Sequence, residues 1–123
     1  MHSTMSPAER DTRIQLAACY RLVSHFGMSD LIYNHITARI PGPEGHLLIN
    51  PYGMMYDEIT ASSLVRIDLD GNVLDNPGEY GINAAGYVIH SAVHAPATTC
   101  NASSTRIRAP AWRCRRCNAA CCR

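Results

Sequence analysis

The chain has 123 residues, 46% of them hydrophobic and 17% charged, and a formal net charge of +1. This length fits one domain, and the composition is that of a soluble globular protein. The N-terminal MHSTMSPAER lacks the apolar core of a signal peptide, and no apolar run approaches the roughly 20 residues that span a bilayer. The sequence therefore predicts a cytoplasmic protein without a membrane partner, and its cysteines should be reduced.

Charge is distributed unevenly along the chain. All ten acidic residues lie at or before Glu79, whereas six of the eleven arginines and five of the six cysteines follow Ala95. Residues 1–95 carry a net charge of −5 and residues 96–123 a net charge of +6, and lysine is absent. This break in composition predicts two regions of different character.

The first region opens with the signals of one helix. Ser6 can cap its start, Pro7 fits the first helical position, and Glu9 has the spacing of a capping box. A glycine, Gly27, is placed to end it. The expected apolar face consists of Ile14, Ala18, Leu22 and Phe26, joined by Leu16, Cys19 and Val23.

Two hairpins are predicted next. PGPEG at 41–45 joins an alternating strand to the apolar run HLLIN, and Asp70-Gly71-Asn72 joins two further short runs. The first strand is expected to be half-buried, because Ile36, Ala38 and Ile40 alternate with His35, Thr37 and Arg39.

A second helix can start at Asn83 and end near Ala95, because Pro96 disfavours the helical conformation in the residue before it. The order of helix, two hairpins and helix predicts an α/β fold with a mixed or antiparallel sheet. The expected apolar face of this helix consists of Ala85, Val88, Ile89, Ala92 and Val93.

Histidines and cysteines offer two candidate metal sites, each with an ordinary alternative. His90 and His94 have the spacing that lets two imidazoles on a helix share a metal, but no convincing third ligand is near. The alternative is a pair of surface or hydrogen-bonded histidines. The motif Cys114-x-x-Cys117, followed by two adjacent cysteines, could be a zinc knuckle, but it is compressed into nine residues.

The six arginines after Ala95 could neutralise phosphates. Trp112 is the only aromatic residue among them, and no known nucleic-acid motif surrounds them. We therefore expect no specific nucleic-acid partner.

Three longer stretches carry a family resemblance. They are LIYNHITARI at 31–40, LLINPYGMMYDEITASSLVRIDLDGNVLD at 47–75 and GINAAGYVIHSAVHA at 81–95. Together they resemble the class II aldolase/adducin family, most closely its adducin-like branch, over about residues 10–95. The resemblance implies an α/β/α sandwich around a mostly antiparallel sheet, usually assembled as a homo-oligomer.

The resemblance also implies two kinds of function. Enzymes of the family are zinc-dependent aldolases, epimerases and related lyases of sugar phosphates, in which the metal polarises a carbonyl group. Adducins instead use the domain in a cytoskeletal protein that binds actin and spectrin. The zinc ligands of the enzymes lie on an H-x-H strand just after the second helix and on a later histidine. This chain has neither at those places, so we expect no cofactor.

The family's phosphate site matches six positions of this chain, where we place the predicted substrate-binding residues. Its Ser-Ser-Glu motif extends one residue further, onto Gly86, so the hydroxyl donors and the catalytic carboxylate are absent and no catalytic residue is predicted. Only Gly53 keeps the residue of the aldolase motif. The six positions are Asn34, His35, Tyr52, Gly53, Ala84 and Ala85.

The sequence after Ala95 does not resemble the family as protein. If each codon is read one base earlier, however, the tail can encode a stretch that contains VIHTHT and later AVSAMQCGLLP, in the manner of the family. This predicts a frameshift before the metal site. We therefore expect a truncated α/β/α sandwich, with the N-terminal portion of the domain at 1–95 and an aberrant, disordered tail at 96–123.

Three functional hypotheses follow. The first is a catalytically inactive fragment descended from a metal-dependent lyase-like or adducin-like protein. The second is an adducin-type module that binds the actin cytoskeleton. The third is a gene remnant without function.

Overall fold

The structure is a computed structural model that describes residues 5–42, 44–96 and 101–105. In this part of the chain, two helices flank five strands. The elements are α1 Pro7–His25, β1 His35–Arg39, β2 Leu47–Ile49, β3 Val65–Ile67, β4 Val73–Asp75, α2 Ala84–His94 and β5 Ala102–Thr105.

The five strands form one sheet in the order β4-β3-β2-β1-β5, and every neighbouring pair is antiparallel. Strands β1 and β2 form the first predicted hairpin, and β3 and β4 form the second. Both hairpin predictions are confirmed. The strand that β1 gains on its other side is β5, in a register that sets Thr37 opposite Ser103.

Helix α1 begins and ends as its sequence predicts. Ser6 Oγ accepts a hydrogen bond of 3.1 Å from the Glu9 amide. At the other end, Gly27 has a φ of 62°, and the amides of Gly27 and Met28 donate to the carbonyls of Ser24 and Val23 over 2.9 Å each. These two bonds form a Schellman motif, which requires the left-handed conformation that glycine adopts without strain.

The sheet is covered on both faces, which gives three layers. One hydrophobic cluster lies between α1 and the sheet, and α1 packs on β1. A second cluster lies on the opposite face, and Tyr87 of α2 packs against it. Helix α2 itself packs on β1 and β5. The predicted α/β/α architecture with an antiparallel sheet is confirmed. The buried members are Leu16, Tyr20, Ile36, Ala38, Ile40, Leu48, Tyr56, Ile59 and Leu64 in the first cluster and Leu47, Ile49, Val65 and Ile67 in the second.

The predicted apolar face of α1 is largely wrong. Ile14, Leu22 and Phe26 are 50%, 56% and 66% exposed, and Ala18 and Cys19 are also exposed. Of the predicted set, Leu16 is buried and Val23 is partly buried. The face that meets the sheet instead consists of Glu9, Arg13, Leu16, Ala17 and Tyr20.

Charge pairing explains how α1 can bury two charged side chains. Arg13, only 2% exposed, contacts Glu9 at 2.9 Å and Asp75 at 3.1 Å, and it donates to the Leu64 carbonyl over 2.7 Å. The second oxygen of Glu9 accepts from Arg66 at 2.9 Å. Because Glu9 serves these arginines, its carboxylate is directed to the sheet and not to a capping box. The network connects α1 to β3 and β4.

The predicted apolar face of α2 is also wrong. Val88, Ile89 and Val93 are 60%, 52% and 42% exposed, and Ala85 and Ala92 are exposed as well. The buried side of α2 carries Gly86, His90 and His94. Helix α2 therefore packs on the sheet through glycine, histidine and the partly buried Tyr87.

The region after Ala95 differs from the prediction in one place. Residues Ala102–Thr105 form β5 beside β1, so disorder does not hold for them. Residues 97–100 and 106–123, including the cysteine motif, lie outside the described residues. Neither of the two helices in the described ranges is long and apolar enough to cross a membrane.

Candidate functional site

A hydroxyl group links two histidines where α2 crosses β1. Thr37 Oγ1 lies 2.8 Å from His90 Nδ1 and 2.9 Å from His94 Nε2. The three residues are 0%, 1% and 0% exposed, so water does not reach this contact. The spacing of four residues places both imidazoles on one face of α2, and the alternation of β1 directs Thr37 toward them.

The chemistry of the threonine hydroxyl sets the hydrogen-bonding pattern. It carries one hydrogen and two lone pairs, so Thr37 can donate to one imidazole while it accepts from the N–H of the other. A third contact, 3.4 Å to the carbonyl of Ser103, brings β5 into the same cluster. Arg39 donates through Nη2 to the carbonyl of His94, at the negative end of the α2 dipole.

The polar face of β1 is therefore buried. The sequence predicted a half-buried strand, but His35 and Thr37 are 6% and 0% exposed beneath α2. The prediction that His90 and His94 are hydrogen-bonded is confirmed, whereas their surface alternative is wrong.

His35 packs directly against the backbone of α2. A β-carbon at Gly86 would lie 2.9 Å from three atoms of the His35 ring, which is closer than such contacts occur. The rings of His35 and His90 meet edge to face, with centroids 6.2 Å apart. Glycine at this position therefore permits the imidazole to lie on the helix.

Burial controls the protonation of these rings. Burial, together with the neighbouring rings of His35 and His94, lowers the pKa of His90 to about 4. Burial also lowers the pKa of His35. At neutral pH both imidazoles are therefore uncharged.

The predicted phosphate-site positions fall into two groups. Asn34 and His35 are buried at the start of β1, and His35 reaches Gly86 of α2. The amide of Tyr52 donates to the Gly81 carbonyl over 2.8 Å, which ties the 52–53 turn to the segment before α2. Of these positions, the structure thus brings His35 together with α2.

The remaining predicted positions are the first two residues of α2 and the turn glycine. Ala84 and Ala85 are exposed and carry no side-chain polar group. Gly53 has a φ of 107° and faces the ring of Tyr80, to which a β-carbon would approach within 3.5 Å. The start of α2 is capped by its own Asn83, whose Oδ1 accepts from the amides of Ala85 and Gly86 at 3.0 and 3.3 Å.

A metal centre is not formed by these side chains. No group of three or more histidine, cysteine, aspartate or glutamate residues is arranged to hold a metal within the ranges that the structure describes. Nδ1 of His90 and Nε2 of His94 are both within hydrogen-bonding distance of the Thr37 hydroxyl. The donor set therefore does not fit a zinc ion.

Sequence reasoning missed Thr37 and Arg39 as partners of α2. The available signal was the alternation of polar residues on β1 combined with the four-residue spacing of His90 and His94. By itself this alternation predicts a solvent-facing side of the strand, because polar residues are more often exposed than buried.

Comparisons with known proteins agree with this fold. Residues 14–103 match the family model described as Class II Aldolase and Adducin N-terminal domain. Over 91 residues the chain is 63% identical to a Caulobacter vibrioides protein named as a putative aldolase class 2 protein. The match covers 74% of this chain and 35% of that protein. It is 50% identical over 88 residues to alpha-adducin of Mus musculus, covering 71% of this chain and 12% of the adducin.

Solved structures give the same result. An aldolase II superfamily protein from Pseudomonas syringae superposes with a TM-score of 0.78 and 52% identity, covering 79% of this chain and 39% of that one. L-fuculose 1-phosphate aldolase from Glaciozyma antarctica also superposes with a TM-score of 0.78, at 26% identity, covering 86% of this chain and 43% of the enzyme. The chain spans about a third of the length of the bacterial relatives that it matches. From its sequence match and its fold, this chain belongs to the class II aldolase and adducin N-terminal domain family.

Proposed function

We propose that this domain functions without aldol chemistry, as a non-catalytic member of its family. The single observation that supports this most strongly is the contact between His35 and Gly86. The resemblance to the aldolases places their catalytic glutamate at residue 86. Here the residue has no side chain, and an imidazole from β1 occupies the adjoining space.

The missing carboxylate has a direct chemical consequence. Aldol cleavage requires a group that takes a proton from, or returns one to, the carbon or oxygen next to the breaking bond. His35 is a titratable side chain that lies against residue 86, but burial lowers its pKa and its ring packs on the helix backbone. His90 is held against Thr37 at 2.8 Å. Both imidazoles therefore serve packing.

The six predicted phosphate-site positions support the same proposal. Ala84 and Ala85 offer no hydroxyl groups, and Asn34 and His35 are buried. A sugar phosphate would depend on the backbone amides near Gly53 and on the start of α2, where Asn83 already caps two amides. We propose that sugar phosphates bind weakly at these positions.

A cleavage assay tests the proposal. The full chain is incubated with L-fuculose 1-phosphate, the substrate in the name of its structural relative, with and without added Zn²⁺. The Glaciozyma enzyme serves as the positive control, and circular dichroism of the same sample establishes that the chain is folded. We expect no cleavage above the rate without protein. Zinc-dependent turnover that a chelator abolishes would contradict the proposal.

An adducin-type interaction module is the second candidate, favoured by the 50% identity to alpha-adducin over 88 residues. Under this proposal the chain is a cytoplasmic protein that assembles with itself or with actin filaments. Exposed apolar residues on the helices, such as Phe26 and Val88, provide contact area for such assembly. Actin co-sedimentation and light scattering test the two partners separately, and a monomer that stays in the supernatant would contradict both.

We also propose that residues 96–123 are encoded in a reading frame displaced from that of the family. The supports are the change in composition after Ala95 and the VIHTHT that the neighbouring frame allows. In that frame the family's metal-binding strand would begin at the residues that form β5 here. The nucleotide sequence around the Ala95 codon tests this directly: a neighbouring frame that does not encode VIHTHT would rule the proposal out.

A further inference from the structure

The packing of α2 on the sheet depends on polar side chains. Its exposed side carries Val88, Ile89 and Val93, while the side that meets β1 and β5 carries Gly86, His90 and His94. A helix that packs through histidines depends on their protonation in a way that an apolar helix does not. This feature goes beyond the proposed function and does not rest on it.

The hydrogen bonds around Thr37 require at least one imidazole with an unprotonated nitrogen. The Thr37 hydroxyl lies 2.8 Å from His90 Nδ1 and 2.9 Å from His94 Nε2. When one of these two nitrogens carries no proton, the hydroxyl donates to that nitrogen and accepts from the other. If both rings are protonated, both nitrogens become donors and the hydroxyl hydrogen loses its imidazole acceptor. Its remaining acceptor is the Ser103 carbonyl at 3.4 Å, which is a long contact.

The groups that face this cluster either carry a positive charge already, as arginine does, or gain one in acid. Strand β1 contributes His35, whose ring meets that of His90, and Arg39, which binds the carbonyl of His94. Helix α2 contributes the second histidine of the pair. The side chains of Ala102, Ser103 and Ser104 on β5 do not titrate. Protonation therefore places like charges side by side in a buried site.

We propose that Thr37, His90 and His94, with His35, form a pH-sensitive latch that holds α2 on β1 and β5 at neutral pH and releases it in mild acid. The released element is one helix, because α1 lies on the opposite face of the sheet in its own cluster. Release would expose the polar face of β1 and free α2.

The sign of the effect follows from proton linkage. An unfolded or released histidine has a pKa of about 6.5. Because burial lowers the pKa of His90 to about 4, the released state binds more protons between these values. The contribution of His90 is therefore present above pH 6.5 and is lost as the pH falls toward 4. Each proton taken up on release shifts the equilibrium by up to about tenfold per pH unit.

Hydrogen exchange on the full chain tests the latch. Protection factors, corrected for the intrinsic exchange rate at each pH, are measured for α2 and α1 between pH 7.5 and 4. We expect α2 to lose protection by at least tenfold at a pH where α1 remains protected. Equal loss in the two helices, or unchanged protection of α2, would overturn the proposal.

A designed variant separates the histidines from general acid effects. The amide of asparagine mimics Nδ1 of histidine and that of glutamine mimics Nε2, so H90N/H94Q retains hydrogen-bonding groups near Thr37 that do not titrate. We expect α2 of this variant to keep its protection to a lower pH than the wild type. The control His25→Asn changes an exposed histidine on α1 and should behave as the wild type.

Histidine ring NMR provides a readout that needs no variant. In the wild-type chain, the His90 ring signal should titrate well below the pKa of about 6.5 of an exposed histidine, at the same pH at which α2 loses protection. If His90 instead titrates at its ordinary pH while α2 remains protected, the latch does not exist.

Discussion

A β-carbon on Gly86 would lie 2.9 Å from three ring atoms of His35. Glycine within a helix costs about 0.5–1 kcal/mol relative to alanine, and Gly86 is the third residue of α2. The close approach of the imidazole explains why a small residue is needed there. Under the proposed function, Gly86 stands at the position at which the aldolases of the family carry a glutamate, so the packing of His35 and the loss of the carboxylate are two aspects of one arrangement.

Removing the hydroxyl at residue 37 should destabilise the domain. In Thr37→Val the shape of the side chain is kept, but His90 and His94 lose the group that lies 2.8 and 2.9 Å from them. Buried polar groups left without their partner cost about 1–3 kcal/mol, which urea denaturation at pH 7.5 measures. Thr12→Val makes the same chemical change at a half-buried position of α1. Its free energy of unfolding should stay within about 0.5 kcal/mol of the wild-type value. Equal effects of the two variants would count against the role of Thr37.

Arg13 should be the most sensitive charged residue of α1. Glu9 is only 4% exposed, and Arg13→Met leaves it with a single arginine partner, Arg66. The substitution also removes the donor to the Leu64 carbonyl. Breaking a buried ion pair by removing one partner costs about 3–5 kcal/mol. The matched control is Arg10→Met on the exposed side of the same helix, with an expected change below about 0.5 kcal/mol. Chemical denaturation of both variants checks the difference, and a small effect at Arg13 would show that the network contributes little.

Gly71 should not tolerate a side chain. It has a φ of +86°, and a β-carbon there would lie 2.5 Å from the ring of Tyr87, whose hydroxyl donates to the Leu69 carbonyl over 3.0 Å. Gly71→Ala therefore combines backbone strain with a steric clash, for which we expect a loss of about 1–3 kcal/mol. Gly78→Ala is the control, since no atom lies within 4 Å of its β-carbon. A thermal melt in which both variants resemble the wild type would contradict the packing of Tyr87 over this turn.

The order of the elements could be predicted from local signals. The Ser6 cap and the Gly27 stop lie next to the residues whose conformation they determine, and the two hairpins have their turn residues between alternating runs. Such signals act over a few residues, so they can be recognised without knowledge of the tertiary fold.

The buried faces of the helices could not be predicted in the same way. Ile14, Leu22 and Phe26 form a regular apolar series, but α1 turns Arg13 and Glu9 toward the sheet because Arg66 and Asp75 meet them there. Those partners lie more than fifty residues away in the sequence. Periodicity in one helix does not reveal which polar residues are paired across the fold.

Prediction of the candidate site also requires contacts between residues that are distant in the sequence. The resemblance identified His35 and Gly86 as departures from the aldolase motif, but it did not reveal that one packs on the other. The alternation of β1 predicts Thr37 on the open side of the strand, whereas α2 covers it. The sequence contains all of these residues, and only the three-dimensional pairing shows their shared role.

A double-mutant cycle of His35 and Gly86 measures the energetic coupling between the imidazole and residue 86. The free energy of unfolding is measured for the wild type, Gly86→Ala, His35→Ala and the double variant. We predict that Gly86→Ala destabilises the wild type by about 1–3 kcal/mol, because its β-carbon meets the imidazole. In the His35→Ala background the same change should be neutral or stabilising, because alanine favours the helix. If Gly86→Ala has the same effect in both backgrounds, His35 does not occupy the space beside residue 86, and the account is wrong.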